Sequence, residues 1–413
     1  MTTPLRHLPT DSTRTASGGP VGNGLFTYSQ QVESWVIRAT KPVSYEIRIT
    51  DDLFNPKRRD LLEAGERTTG PLRRFLVVDA KVNALHGNRI RAYFDHHEVD
   101  YHLHSVPAEE TVKEFQTAAH IVREIDEFGI DRRNEPVIVI GGGVLMDIVG
   151  LVTSLYRRGT PFIRVPTTLI GLVDAGVGVK TGINFNGHKN RLGTYFPAEL
   201  TLLDRSFLST LEHRHISNGL AEILKIALIK DAALFTLLER HGDLLLEEKC
   251  QGLSSTGELA ATEVLRRAIH GMLEELQPNL WEAKLERVVD YGHTFSPTVE
   301  MRALPSLLHG EAVCVDMALT TVLAARRGLV TRADRDRILA LMSALGLPCW
   351  DPLLATPVLG EALRDAVRHR DGQQRLPLPV GIGDAIFVND VEEEELEASV
   401  KELAELALVG GKR

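Results

Sequence analysis

Residues 137–150 read VIVIGGGVLMDIVG. An apolar run, three glycines and a second apolar stretch in immediate succession predict a buried strand turning directly into a helix. Gly141, Gly142 and Gly143 allow a tight turn and close approach of a phosphate to the backbone. The helix behind them offers unpaired N–H groups and the positive end of its dipole. The spacing is not GxGxxG, and a plain strand-to-helix turn has the same look.

Outward from this stretch the same rhythm continues. RRFLVVD (residues 73–79) and PFIRVP (161–166) read as further buried strands. Helices are predicted over 82–94, 111–128 and 144–157, the second stopping at Gly129. Strand, helix and strand in this order predict a parallel, doubly wound sheet. Asp79 ends its strand where a ribose hydroxyl of NAD would need an acceptor; a helix cap is the other use of an Asp there. Residues 25–50 alternate in polarity and predict two strands joined near Lys41-Pro42.

After Leu203-Asp204 the pattern changes. Long amphipathic windows at 219–229, 258–276, 310–328 and 331–345 predict a mostly helical second half. The expected organisation is an α/β, Rossmann-like domain over 25–204 and a mostly helical domain over 205–413. A polar arm, 1–24, precedes them and is expected to be disordered. The acidic run VEEEELEASVKELAEL (391–406) reads as a solvated helix face.

Composition bounds the function. A chain of 413 residues suggests two domains. The net charge of −9 argues against a general nucleic-acid binder, while leaving room for a local basic pocket. Three cysteines with no CxxC pair exclude a disulfide scaffold and a Cys-based zinc site, and suit a reducing cytoplasm. No run reaches the roughly 18–20 apolar residues of a membrane span, and residues 1–24 lack the apolar core of a signal peptide. A cytoplasmic location is expected. With 15 histidines, any metal site rests on His and carboxylates.

Three residues make such a set: Glu222 in GLAEILKIALI, His293 in DYGHTF and His309 in LLHGEAV. One carboxylate and two imidazoles suit zinc with a position left open for substrate, and cobalt equally well. Spacing alone does not bring them together. Lys225 lies one helical turn after Glu222 and shares its face, as an ordinary surface ion pair also would.

GGGVLMD (141–147), RRGTPFIRVPTTLIGLVDAGVGVKTGIN (157–184), GHKN (187–190), AEILK (221–225), YGHTF (291–295) and HGEAV (309–313) follow one another in order. This ordered set resembles the 3-dehydroquinate synthase superfamily, the sugar phosphate cyclases, over residues 70 to about 385. The resemblance implies an active site between an NAD-binding domain and a helical domain. It implies Glu222, His293 and His309 as metal ligands. Asp79, Gly141, Gly142, Gly143, Asp147, Thr167 and Thr168 fall on the NAD cradle, with Glu110 and Lys113 as a further nucleotide-contacting pair. Asp174, Lys180, Lys189, Asn190 and Lys225 fall on the substrate pocket, Lys180 and Lys189 touching the cofactor side as well. Arg158 resembles an arginine that reaches a neighbouring subunit's phosphate site, which implies a homodimer.

The departures from the family pattern point to the substrate. Glu286 and Asp290 replace an Arg and an Asn, Pro297 replaces a His, and Met272 falls near a family lysine. The lost cations are those that pair with a substrate carboxylate, and an anionic Glu286 in their place repels one. The phosphate-binding lysines remain. His369, in RHRDGQQ, is a further contact for phosphate or hydroxyl, or else an exposed loop residue. The pattern resembles the branch acting on sedoheptulose 7-phosphate, nearest to its valiolone-forming members. Formation of desmethyl-4-deoxygadusol or of 2-epi-valiolone is the alternative. A 3-dehydroquinate synthase or a polyol dehydrogenase is less favoured.

Overall fold

The computed structural model describes residues 14–15, 25–29, 34–64 and 72–410. The chain divides into two compact units, 1–45 and 46–413. The first holds an antiparallel sheet of β1 (Arg14–Thr15), β2 (Leu25–Ser29) and β3 (Ser34–Arg38), in that order. Leu25 pairs with Arg38 and with Thr15. The remainder of the 1–24 arm lies outside the described residues. The alternating stretch 25–50 is not one hairpin turning at Lys41-Pro42. Its last part, β4 (Glu46–Thr50), pairs in parallel with a strand about 150 residues later and belongs to the second unit.

In that unit β4 is followed by α1 (Asp60–Glu63), β5 (Arg73–Asp79), α2 (Ala80–His96), β6 (Asp100–Val106), α3 (Phe115–Phe128), β7 (Val137–Gly141), α4 (Gly143–Leu155) and β8 (Phe162–Pro166). A hairpin, β9 (Lys180–Phe185) and β10 (His188–Tyr195), precedes β11 (Leu200–Asp204). Six strands form a parallel sheet in the order β4-β11-β8-β7-β5-β6. Its central strands read as unbroken apolar runs because both faces are covered. Phe75, Val77, Val137 and Val139 pack in one core with Ile121 and Ile125 of α3 and Ile148 of α4. Leu76, Val78, Ile138 and Ile140 pack in another with Ile90 and Phe94 of α2. The chain runs outward from β5 to β6, then crosses back to β7. That reversal opens a crevice at the strands' carboxyl ends, where Asp79 and Gly141 stand.

Beyond Asp204 the chain is mostly helical: α5 (His213–Ile229), α6 (Ala232–Glu247), α7 (Ser255–Leu276), α8 (Ser296–Ala303), α9 (His309–Arg326), α10 (Arg332–Ala344), α11 (Thr356–His369) and α12 (Glu393–Gly410). A short ribbon, β12 (Leu376–Pro379) and β13 (Ala385–Val388), precedes α12. The window 310–328 is not amphipathic in its setting. α9 is buried all round from Gly310 to Ala324 and acts as the pillar of this core. The acidic run forms α12, and its face is not simply solvated. Glu395 pairs with Arg327, and Glu402 with Arg326 and Arg335, while Leu396 and Leu403 are buried.

Candidate active site

The interior of the helical part holds a carboxylate that its surroundings do not neutralise by hydrogen bonding. Glu222, in the middle of α5, is 1% exposed, and neither carboxylate oxygen has a well-directed hydrogen bond. Its Oε1 lies 3.7 Å from His293 Nε2 and 3.4 Å from His309 Nε2. Lys225 Nζ lies 2.5 Å from Oε2.

Each imidazole is aimed by its other nitrogen. His293 Nδ1 donates to the Tyr291 carbonyl at 3.0 Å, and His309 Nδ1 to Glu300 Oε2 at 2.8 Å. Both Nε2 atoms therefore turn toward Glu222, the orientation that metal-binding histidines use. The chain is built to hold these rings. Gly292 has φ +74, and a Cβ there would meet Met317 Cγ at 2.8 Å. Asp316 of α9 accepts from the N–H groups of Phe295 and Ser296, at 2.6 and 2.9 Å. Pro297 sits in the first turn of α8, where no N–H is needed. His309 opens α9, fixed by Gly310 N–H donating to Asn218 Oδ1 at 2.6 Å and Leu308 N–H to Glu311 at 2.8 Å.

The carboxylate–imidazole spacings exceed a hydrogen bond and approach the edge of a tetrahedral zinc site, about 3.3 Å for ligand bonds near 2 Å. A divalent cation fits these residues. Burial and the Lys225 ammonium push His293 down to about 3, keeping it neutral. Burial also disfavours a charged His309, but Glu300 and Glu222 outweigh it and raise the ring to about 9. Burial opposes ionisation of Glu222 too, and Lys225 and the two rings overcome it, holding the carboxyl well below its usual range.

A belt of charged groups surrounds the cluster. Lys225 is 2% exposed and stands between Glu222 and Asp174, whose Oδ1 is 3.8 Å from Nζ. Asp174 rides on a π-helical turn, Gly171–Ala175, a local widening common at functional sites. Burial raises its pKa. Lys180 opens β9 with its side chain 55% exposed and Nζ 2.5 Å from Glu282 Oε1. Crowding by protein atoms and the Arg287 charge push it down to about 8. Burial opposes the charge on Asp290, but Arg287, Lys180 and Arg370 hold its carboxyl near 2. Lys189 and Asn190 lie in an irregular stretch of β10, where the pairing register shifts between His188 and Leu192. Lys189 Nζ is 2.6 Å from both Glu300 oxygens and 3.1 Å from His309 Nδ1.

Asn190 links this belt to the sheet. Its Oδ1 accepts from Lys113 Nζ at 2.7 Å, and Lys113 pairs with Asp147 at 2.6 Å. Glu110 accepts from Asn184 Nδ2 at 2.8 Å, and Asn184 Oδ1 accepts from Asn190 N–H at 2.9 Å.

The glycine turn is closely packed. A Cβ on Gly141 would meet Leu145 Cδ2 at 2.9 Å; one on Gly142 would meet Thr168 at 3.2 Å, and one on Gly143 Ala175 at 3.2 Å. Thr167 N–H donates to the Gly141 carbonyl at 2.9 Å. α4 starts at Gly143 with Gly142 as its N-cap and no side-chain cap, which leaves its first N–H groups available to an anion. Asp79 does cap a helix: Oδ1 accepts from Lys81 and Val82 N–H at 2.7 and 3.4 Å. The cap holds the carboxylate at the end of β5, beside the glycine turn.

Several of the sequence-selected residues stand apart from the cluster. Arg158 is exposed, on a turn after α4 where Arg157, Arg158 and Gly159 have φ of +49, +66 and +116. Glu286 is half exposed and faces Arg375 at 3.5 Å. Met272 is buried in the helical core. His369 ends α11 in contact with Arg191 and Asp365. Its neighbour Arg370 turns inward instead, 3.6 Å from Asp290. Sequence reasoning missed Glu300, Glu282, Arg287 and Arg370. Within RHRDGQQ it is Arg370 that reaches Asp290, while His369 lies against Arg191 and Asp365. For Glu300, nothing local to SPTVEM distinguishes it from a surface glutamate.

The 3-dehydroquinate synthase N-terminal and C-terminal family models match residues 103–218 and 219–367. The chain is 68% identical over 378 residues to a 2-epi-5-epi-valiolone synthase of Streptomyces albus, covering 92% of each. It is 40% identical to a demethyl-4-deoxygadusol synthase of Trichormus variabilis, covering 90% of each. The structure of ValA, the 2-epi-5-epi-valiolone synthase of Streptomyces hygroscopicus subsp. jinggangensis with NAD+ and Zn2+ bound, superimposes with a TM-score of 0.86 at 53% identity, covering 90% of this chain and 100% of that one. The glycine crevice, the Glu222 cluster and these likenesses together place the chain in the 3-dehydroquinate synthase family.

Proposed function

We propose that this chain converts sedoheptulose 7-phosphate to 2-epi-5-epi-valiolone and phosphate. The reaction is a phosphate-eliminating cyclisation with no net change in cofactor. The observation that carries this reading is the retention of the family's cation-rich phosphate belt, Lys180, Lys189 and Asn190, alongside Glu286, Asp290 and Pro297 where a carboxylate-binding set is expected. The 68% identical synthase supports the product.

The glycine turn and Asp79 would hold NAD, and Glu222, His293 and His309 a divalent metal; when bound, these would supply a reversible hydride acceptor and Lewis acidity. The chain's own groups do the rest. Lys225 and Asp174 hydrogen-bond the hydroxyls around C5 and fix their orientation. Lys180, Lys189 and Asn190 hold the C7 phosphate, point charges suited to it. So held, the phosphate itself takes the C6 proton as it departs. Once C5 is reduced again, the ring C–O bond at C2 opens, which frees the C2 carbonyl and the C6 enol, and C7 of that enol attacks C2 to close the carbocycle. Asp79, the glycine turn, Thr167, Thr168 and the Glu110–Lys113–Asp147 group cradle the nucleotide. Arg158 reaches a neighbouring subunit in a homodimer. The enzyme acts in the cytoplasm, and no helix of the described residues is long and apolar enough to cross a membrane.

A second product, demethyl-4-deoxygadusol, is favoured by the 40% identical relative, which fills the same fold. Purified enzyme with NAD and zinc is offered sedoheptulose 7-phosphate or the carboxylated heptulosonate phosphate. Phosphate release from the first alone is expected, with NMR showing 2-epi-5-epi-valiolone. Turnover of the heptulosonate with none of sedoheptulose 7-phosphate overturns the reading.

A further inference from the structure

The outer edge of the parallel sheet carries a second group of metal-ligand type. β6 is the edge strand, and strand alternation sets His102 and His104 on one face. α3 packs against that side through Ala118, Ile121 and Ile125. It brings Glu124 over the two histidines, with His120 one turn before it on the same face. His102 Nε2 lies 3.4 Å from Glu124 Oε2, and His104 Nδ1 lies 3.7 Å from the same oxygen.

These are the spacings seen around Glu222, 3.4 and 3.7 Å. They are again too long for hydrogen bonds, about 2.7–3.2 Å, and close to the edge of a tetrahedral coordination site, about 3.3 Å. The rings are held in place without hydrogen bonds. His102 stacks on Phe75 with centroids 5.3 Å apart, and His104 packs edge-on against His120 at 4.9 Å. His104 Nε2 is buried with no hydrogen-bond partner. The nitrogen facing Glu124 is Nδ1, so an ion here would bind His104 through Nδ1 and leave the proton on Nε2.

We propose that His102, His104 and Glu124 form a second divalent-cation site, taking an ion of the zinc class, with His120 beside it as a further imidazole. The ion ties the edge strand to the helix that covers it. It thereby steadies the segment between them, which carries Glu110 and Lys113. His102 is 44% exposed, so this site binds more weakly and exchanges faster than the buried one. The inference does not depend on which sugar phosphate the enzyme uses.

Equilibrium dialysis of the NAD-loaded, full-length protein against Zn2+, read as bound metal per chain, tests it. Two ions per chain are expected for the wild type. The His102→Ala/His104→Ala variant keeps one, Glu222→Gln keeps one, and the combination keeps none. Glu124→Gln, a helix-surface change that leaves the fold intact, also loses the weaker ion, and the rise in Tm that the second equivalent produces disappears with it. Wild-type protein that never exceeds one ion per chain overturns the proposal. So does a second ion that survives both the double variant and Glu124→Gln.

Discussion

The nucleotide crevice and the Glu222 cluster are made of different materials. The crevice is backbone: three glycines, a helix N-terminus and one capping aspartate, all within a few residues of two strand ends. The cluster is side chain: a helix interior, a loop and the first residue of another helix, brought together from positions 222, 293 and 309. One is built by local turn chemistry and the other by helix packing. They should therefore fail in different ways.

The largest expected effect is at the cluster. Glu222→Gln keeps the volume and removes the charge, and kcat falls on the order of a thousandfold as the metal is lost. NAD titration by fluorescence is unchanged. A variant that loses NAD affinity as well would break the separation of the two regions. Next is Glu300→Gln, which leaves every proposed ligand in place but weakens the acceptor that aims His309. Metal affinity should fall by about 10- to 100-fold in a competition assay with a chelator. An unchanged affinity would mean that His309 is aimed by packing alone.

On the crevice side, Gly142→Ala brings a methyl to 3.2 Å from Thr168. Overpacking of this kind costs about 1–3 kcal/mol, so the Kd for NAD rises roughly tenfold while metal content stays at the wild-type level. The smallest effect is a titration. Lys180 holds phosphate only as an ammonium, and its pKa in the free enzyme lies at about 8. As pH rises through that value the charge is lost, so kcat/KM falls on the alkaline side, and Lys180→Arg shifts this limb upward. A profile unmoved by the substitution would assign the limb to another group.

The same contrast explains what could be read from the sequence. VIVIGGG and RRFLVVD announce the crevice because a buried parallel strand is a continuous apolar run and a phosphate turn needs glycine at fixed offsets. The continuity arises from cover on both faces, which is also why β4, an edge strand, looked like part of a hairpin. The cluster was accessible only through motifs such as AEILK and HGEAV met in order. Glu300 lay beyond reach because its role comes from α8 packing beside α9, and no local pattern encodes that contact. Arg370 is the non-helical residue just after α11, so the path of the chain leaving the helix, which no periodicity in the sequence encodes, turns it toward Asp290. Asp79 served both readings at once, capping α2 and standing at the crevice.

The claim that both regions serve one cyclisation is tested most directly by following phosphate release and NADH absorbance together, with enzyme, NAD, zinc and sedoheptulose 7-phosphate. Many equivalents of phosphate per enzyme are expected, with no NADH accumulating at steady state. NADH appearing in step with substrate consumption, without phosphate, would contradict it and mark the chain as a dehydrogenase.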